Sequence, residues 1–287
     1  MTQETSCRGG DNATQVPCVV IGPVQSSSPL DLRELWAFRD LLAILTWRDV
    51  SVRYKQSLIG VGWVVIQPLA TVVLFTVIFG WFARLPSEGA PYPVFTFCAL
   101  LPWNYFARAL TDSSMSLVGG THLLTKVYFP RLILPLSRVL AGLVDFAVAF
   151  IALLALMLWY GIRPSWGVFL VPVFLMLAMC AALAMGLWLT ALNVRYRDIG
   201  FVVPFLAQFW MFATPVAYSS SIVPERWRWL YGLNPMVGVV EGFRWALLGK
   251  APPNVGPMII SVALVIALLL GGLYYFRRAE QTVADLI

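Results

Sequence analysis

Charge is scarce in this chain: Asp, Glu, Lys and Arg make up 12% of its 287 residues, and histidine occurs once. Enzymes that act on lipids or sugars at a membrane face place acids, histidines or metal ligands there. None of the usual arrangements is present, whether Asp-x-Asp, His-Glu-x-x-His or a Ser/His/Asp set. The four cysteines (Cys7, Cys18, Cys98, Cys180) have no CxxC or Cys/His metal spacing, so neither a metal site nor a disulfide is expected. A phosphate-binding loop is missing too, because Gly249-Lys250 is followed by Ala251 and lacks the upstream glycine. This chain should therefore bind no cofactor, and any ATP and Mg must be handled by another subunit. Residues 1–29 are polar and lack the apolar core of a signal peptide, so they read as a disordered cytoplasmic tail that is not cleaved. No internal repeat breaks the rest, 30–287, into more than one domain.

What the chain has in abundance is apolar sequence: 60% of its residues are hydrophobic and its mean hydropathy is +0.79. Six stretches come close to the ~20 residues that a helix needs to cross a bilayer. They are Leu58–Phe82, Val94–Val118, Val139–Tyr160, Val168–Val194, Ile199–Tyr218 and Met258–Phe276, and the first, fourth, fifth and sixth contain no charged residue. The fold class expected is an all-α integral membrane protein. A net charge of +6 would suggest nucleic acid in a soluble protein, but here its placement decides. With the N-terminus inside, thirteen Lys and Arg fall on the cytoplasmic side and six outside, with Arg108 left within a span. Both termini are thus expected in the cytoplasm.

Three segments outside the spans carry structure of their own. Ser28-Pro29-Leu30-Asp31 supplies a helix start, and Leu35, Phe38, Leu42 and Leu45 recur at helical spacing, which predicts a helix over about Pro29–Arg48. Interleaved charges, among them Arg39, Asp40, Arg48 and Asp49, make it too polar to span, so it should lie along the cytoplasmic interface. Their mixed sign favours a helix that also docks a partner over one held by anionic lipid alone. Between the second and third spans, Thr121–Arg131 reads as a short cytoplasmic helix closed by Pro130 and Pro135, with an exposed Tyr128-Phe129 pair beside Lys126 and Arg131. His122 in this segment reads as a surface or packing residue rather than a ligand. After the fifth span, Pro224 to Gly232 and Asn234-Pro235 to Gly249 predict two short helices. The second, about Pro235–Leu248, is apolar but too short to cross ~30 Å, so the pair should form a re-entrant hairpin.

Charges within spans are costly and suggest function. Arg108 and Asp112 are spaced i,i+4 and can partly neutralise each other, and Asp145 lies at a similar depth in the third span. With Arg138 they could form a buried cluster that fixes helix packing, or they could line a wet path. Aromatic residues such as Trp63, Trp103, Tyr105, Phe106, Trp188, Trp210 and Phe212 could stack on sugar rings, although most aromatics in membrane helices pack or face lipid.

Several of these residues make a pattern. Arg48-Asp49-Val50-Ser51-Val52-Arg53-Tyr54-Lys55-Gln56-Ser57 leads to Gly60, Trp63 and Pro68. Lys126-Val127-Tyr128-Phe129-Pro130-Arg131 precedes Leu134-Pro135-Leu136-Ser137, and Asn193-Val194-Arg195-Tyr196-Arg197-Asp198 and Leu233-Asn234-Pro235-Met236 follow. From about residue 30 onward the chain resembles the permease subunit of ABC transporters that export polysaccharide, a family that includes O-antigen, capsule and teichoic acid exporters. The resemblance implies a homodimer of six-span subunits bound to two copies of a cytoplasmic ATPase, moving a lipid-linked polymer out across a bacterial plasma (inner) membrane. It makes the helix with Arg39, Asp40, Arg48 and Asp49 the interface helix. It makes His122, Leu123, Lys126, Tyr128, Phe129 and Arg131 part of the ATPase-coupling segment. It places the hairpin with Asn234, Pro235 and Arg244 near an outer gate. A path between the two copies of the first and fifth spans makes Trp63, Trp210, Phe212 and Tyr218 candidates to line it. Arg108 and Asp112 belong to none of the motifs.

Two other classes fit membrane chains of this size. An ion-coupled secondary transporter would use Asp112 or Asp145 as the carrier. A polytopic glycosyltransferase or lipid-modifying enzyme would need catalytic acids at a membrane face, which are scarce here. The charge split makes a direct prediction about topology. Single cysteines at Glu88, Ser165 and Asn254 should react with an impermeant thiol reagent added to intact cells, whereas those at Gln3, Thr125 and Asp285 should not; labelling of the second group overturns the orientation.

Overall fold

A computed structural model of the protein describes residues 32–286 apart from 56–58, 125, 250–251 and 253–254; the expected tail and the Ser28–Asp31 helix start lie outside the described residues. Every regular element among the described residues is helical. The N-terminal region forms α1 (Leu32–Ala37) and α2 (Arg39–Tyr54), separated at Phe38, whose φ of −99° and ψ of 18° leave the helical region. The expected single helix is therefore two, and the second runs past Arg48 through the Arg-Asp-Val-Ser-Val-Arg-Tyr motif, where neither Gly nor Pro interrupts it. Leu45, Asp49 and Val50 are its buried face, while Ile44, Trp47 and Val52, and Trp36 on α1, stay exposed.

α3 (Gly62–Phe75) continues as a π-helical segment, Thr76–Phe82. α4 (Tyr92–Ser114) is followed by two short turns of helix, α5 (Ser116–Gly119) and α6 (Thr121–Leu124). α7 (Ile133–Trp159) begins ahead of the expected third span because Pro135 sits in its first turn, where a missing N–H costs nothing. α8 (Val171–Arg195) is preceded by a 3-10 turn, Trp166–Leu170. α9 (Ile199–Ala213) stops five residues short of the expected Tyr218: Thr214 precedes Pro215, and proline drives its predecessor out of the helical region, to φ −101° and ψ 141°. α10 (Glu225–Tyr231) and α11 (Pro235–Leu248) form the expected two short helices, and α12 (Val255–Leu286) closes the chain.

Four stretches among the described residues are long and apolar enough to cross a membrane: Gly62–Phe82, Ile133–Trp159, Trp166–Arg195 and Val255–Ala279. At the centre of the bundle is α4, which packs against α3, α7, α8, α9 and α11 and buries Val94, Phe95, Phe97, Cys98, Ala99 and Phe106 completely. Without water to drive helices together, close backbone approach has to supply the dispersion contacts, and small residues allow it. A Cβ on Gly186 would come within 2.5 Å of Ser113, and one on Gly242 within 2.2 Å of the Phe174 ring.

A second apolar cluster lies at the α2 end, joining Leu45, Leu117, Phe129, Ile133, Leu134, Leu187, Leu273 and Phe276. It corrects one expectation. Helix α6 ends at Leu124, and the chain from Tyr128 to Pro130 is not helical, since Pro130 disfavours helix in the residue before it. The turn sends Phe129 inward, to 5% exposure, and leaves Tyr128 71% exposed, so the two are not an exposed pair. Phe129→Ala should therefore lower the stability of the purified protein by about 3 kcal/mol, while Tyr128→Ala leaves it within ~0.5 kcal/mol. Unfolding followed by near-UV circular dichroism would read the difference, and equal effects would contradict the packing.

Candidate functional site

The charges near the α2 end are arranged by helical spacing. Asp49 and Arg53 are i,i+4 on α2, Arg108 and Asp112 are i,i+4 on α4, and Ser137, Arg138 and Asp145 lie on α7, so each helix offers polar groups to its neighbours. Asp49 is buried and is met by Arg48 Nη2 at 3.1 Å and Arg138 Nε at 3.3 Å, and the Ser137 hydroxyl donates to it at 3.4 Å. One turn further on, the Arg53 guanidinium donates to Asp112 Oδ2 at 2.8 Å and, with its other terminal nitrogen, to Asp145. Arg108 Nη1 also reaches Asp145, at 2.7 Å, and the Tyr54 hydroxyl donates to the same carboxylate. Burial first, and the bond to Asp145 next, push the Tyr54 hydroxyl up to about 12, so it remains a donor at neutral pH.

This differs from the expected grouping. Arg108 crosses to α7, and Arg53, read in the sequence only as part of a motif, is the residue that meets Asp112 and joins three helices. An Arg placed N-terminal to its acid is the weaker helical orientation, whereas a guanidinium between two carboxylates satisfies both ends of its planar fork. Arg138 faces Asp49 instead of the Arg108 group. The signal for Arg53 was its spacing from Asp49.

Beside this network a cavity of about 530 Å³ opens between α3, α4, α7 and α9. Arg108, Asp112 and Asp145 form its polar end, level with α2; Trp63, Pro68, Leu101, Trp103, Phe146 and Pro204 form apolar wall. Of the aromatic candidates, Trp63 lines the cavity and is 52% exposed. Trp210 instead packs edge-on against Trp103 and Phe106, with ring centroids 6.4 and 5.6 Å apart. Phe212 is exposed at the far end of α9, and the Tyr218 hydroxyl bonds to the Phe212 carbonyl and the Tyr231 hydroxyl. These four do not form one surface.

At the opposite end, the segment after α9 is held by side chains of α11 and its N-cap. Asn234 caps α11, accepting from Met236 N at 3.1 Å, while its amide donates to Thr214 Oγ1 at 2.9 Å. Pro235 follows in the first turn. Arg244 is buried and donates to three backbone carbonyls, Val216 at 2.8 Å, Tyr218 at 3.2 Å and Phe95 at 3.4 Å, with its guanidinium carbon 3.7 Å from the centre of the Phe95 ring. Tyr92 adds a bond to the Ala217 carbonyl, and Ser219 bonds to Glu88. The sequence singled out Asn234, Pro235 and Arg244; Tyr92, Glu88 and Ser219 carried no pattern that would have joined them.

The remaining expected residues sit at the surface of the α2 end. Arg39 and Asp40 are exposed, 3.8 Å apart, a pair of the kind that contributes little. His122, Lys126 and Tyr128 are exposed, whereas Leu123 and Arg131 are half-buried. Among the described residues, no group of three His, Cys, Asp or Glu side chains converges as a metal site.

Membrane-length apolar helices with paired charges and a cavity among them define an integral membrane bundle with a polar site in its interior. The chain belongs to the ABC-2 type transporter family, whose profile matches residues 40–248. It is 33% identical over 262 residues to the O-antigen export system permease protein RfbA of Myxococcus xanthus, covering 89% of this chain and 98% of that one. A Klebsiella pneumoniae protein of the same name is 27% identical over 252 residues, covering 86% of this chain and 95% of that one. The polysialic acid transport protein KpsM of Escherichia coli is 23% identical over 244 residues, covering 81% and 91%.

If Arg53 is the shared partner, then Arg53→Ala should destabilise the protein by about 3 kcal/mol, because it strands two acids with reduced compensation. Arg53→Ala combined with Asp112→Ala should be less damaging than the sum of the two single changes, by ~1 kcal/mol or more. Strict additivity in a double-mutant cycle would mean that the pair is not coupled.

Proposed function

We propose that this chain is the membrane-spanning subunit of an ATP-driven exporter that moves a lipid-linked polysaccharide, of the O-antigen, capsule or teichoic acid kind, across the bacterial plasma (inner) membrane. The observation that carries this reading is the similarity to O-antigen export permeases over nearly their whole length, 98% of the Myxococcus xanthus protein. The described geometry supports it. A cavity that joins a polar end at the α2 level to apolar walls suits an amphiphile whose head is polar and whose tail is not.

In this reading the subunit has six spans. Helices α4 and α9 join the four long apolar stretches, and the clamped segment after Thr214 completes the crossing that α9 alone, about 22 Å long at 1.5 Å per residue, does not make. Helices α10 and α11 enter from the outside and return, and both termini are cytoplasmic. Two copies of the subunit pair with two copies of a cytoplasmic ATPase, which carries the ATP and Mg; this chain binds no cofactor itself. The ATPase docks on the segment around α6, with exposed Tyr128 as its aromatic contact and Phe129 anchoring that segment to the bundle. An ion-coupled mechanism needs a carboxylate free to exchange its ion, and Asp112 and Asp145 are both engaged by arginine.

The test combines this subunit and its ATPase in inverted membrane vesicles, with lipid-linked polymer presented on their outward-facing cytoplasmic side. Uptake should require ATP and survive an ionophore at constant ATP; uptake that an ionophore abolishes, or that proceeds without ATP, would sink the reading. Tyr128→Ala should weaken ATPase co-purification about tenfold or more while dimer assembly persists, the loss expected when an interface anchor is removed.

A further inference from the structure

The cavity between α3, α4, α7 and α9 has hydrogen-bonding capacity that the fold does not use. The side-chain amides of Asn104, on α4, Gln67, on α3, and Gln208, on α9, all line it, and no hydrogen bond among the described residues engages them. Thr71 and Thr111 donate to the backbone carbonyls of Gln67 and Ala107, which leaves their oxygens as acceptors toward the cavity wall. Arg108 contributes one nitrogen to Asp145 and keeps further N–H donors, and its side chain is 43% exposed. Trp63, one turn before Gln67 on α3, also lines the cavity, and its side chain is half exposed.

Charge decides what such a site can hold. Phosphate and pyrophosphate offer only acceptors and need cationic donors in excess. Of the charged residues that line it, Arg108 faces two acids, Asp112 and Asp145, and Arg53 behind them brings the set to neutrality, so the cavity has no surplus of positive charge. A sugar hydroxyl is both donor and acceptor. It matches a wall on which amide N–H and C=O groups, threonine oxygens, carboxylates and guanidinium N–H groups alternate, and the apolar face of a sugar ring matches an indole. A volume of about 530 Å³ lies within the ~300–1,000 Å³ usual for small-ligand sites.

We propose that this cavity is a subsite for an uncharged sugar residue, stacked on Trp63 and hydrogen-bonded by Gln67, Asn104, Arg108, Asp112 and Gln208. The inference rests on the polysaccharide-export reading and adds where in one subunit a sugar is held and by which groups. The Arg53 network then has two roles at one place: it ties α2 to the bundle and presents Asp112 and Arg108 to the ligand as a neutral pair.

Saturation-transfer NMR on the purified subunit in lipid nanodiscs tests this with methyl glycosides of glucose, galactose, mannose, rhamnose and N-acetylglucosamine as probes, and inorganic pyrophosphate as competitor. At least one glycoside should bind saturably, and excess pyrophosphate should not displace it. Affinity should fall about tenfold or more in Asn104→Leu/Gln208→Leu, two positions whose side chains make no hydrogen bond among the described residues, and in Trp63→Leu, but be retained in Trp63→Phe. Saturable binding by none of the glycosides, binding untouched by these changes, or displacement by pyrophosphate would each overturn the proposal. Vesicle uptake of polymer is measured alongside: uptake by the unaltered subunit without glycoside binding removes the subsite alone, whereas absence of ATP-dependent uptake removes the export reading.

Discussion

A charge in an apolar bundle has to be paired, and here that constraint joins the N-terminal helix α2 to the helices of the core. Asp49 on α2 meets Arg138 on α7; Arg53, one turn on, meets Asp112 on α4 and Asp145 on α7. Removing one partner from either set would leave a carboxylate or guanidinium without compensation in surroundings that solvate it poorly. The consequence is mechanical. Helix α2 cannot shift relative to α4 and α7 without breaking ion pairs, so movement imposed on it reaches the wall of the cavity that Arg108, Asp112 and Asp145 share.

The opposite end is organised by hydrogen bonds to backbone carbonyls. Pro215 breaks α9, and the segment that follows has carbonyls that helix geometry no longer satisfies. Buried Arg244 takes two of them, Tyr92 a third, and Asn234 fastens the end of α9 while capping α11. In a low-dielectric environment unmet carbonyls of this kind cost several kcal/mol each, which is why irregular backbone at such depth occurs where protein covers it. The two ends thus use different chemistry. Ion pairs restrain helices that must move together, and a guanidinium fan holds a non-helical segment in place.

Packing at the centre explains why aromatic residues that look alike in the sequence do different work. Trp103 and Phe106 are buried in α4 and receive Trp210 edge-on, so that indole fills core volume. Trp63 is on α3, which buries only Pro68, Val72 and Phe75 among its residues, and its ring is left beside the cavity. Phe129 and Tyr128 are adjacent in sequence, yet one is in an apolar cluster and the other in the open. Hydrophobicity assigns all of these to apolar surroundings; only their neighbours separate core from surface.

The sequence by itself determined the helical class, four of the apolar stretches, the two short helices α10 and α11 with the Asn234-Pro235 start and Gly249 stop of the second, and the family, because these depend on local composition, spacing and motif. Helix propensity, capping and proline sterics act over a few residues, so a linear reading reaches them. Local rules also contained the early end of α9 at Thr214-Pro215, which hydropathy ran through, and the non-helical turn before Pro130, which the expected Thr121–Arg131 helix ran through. Tertiary structure alone decided that Arg53 bridges Asp112 and Asp145, that Arg138 turns to Asp49, that Phe129 faces inward, and that Gln67, Asn104 and Gln208 meet around one cavity. Those outcomes depend on the rotation of each helix about its axis and on which helix lies beside it, and both are set by packing between residues far apart in the chain.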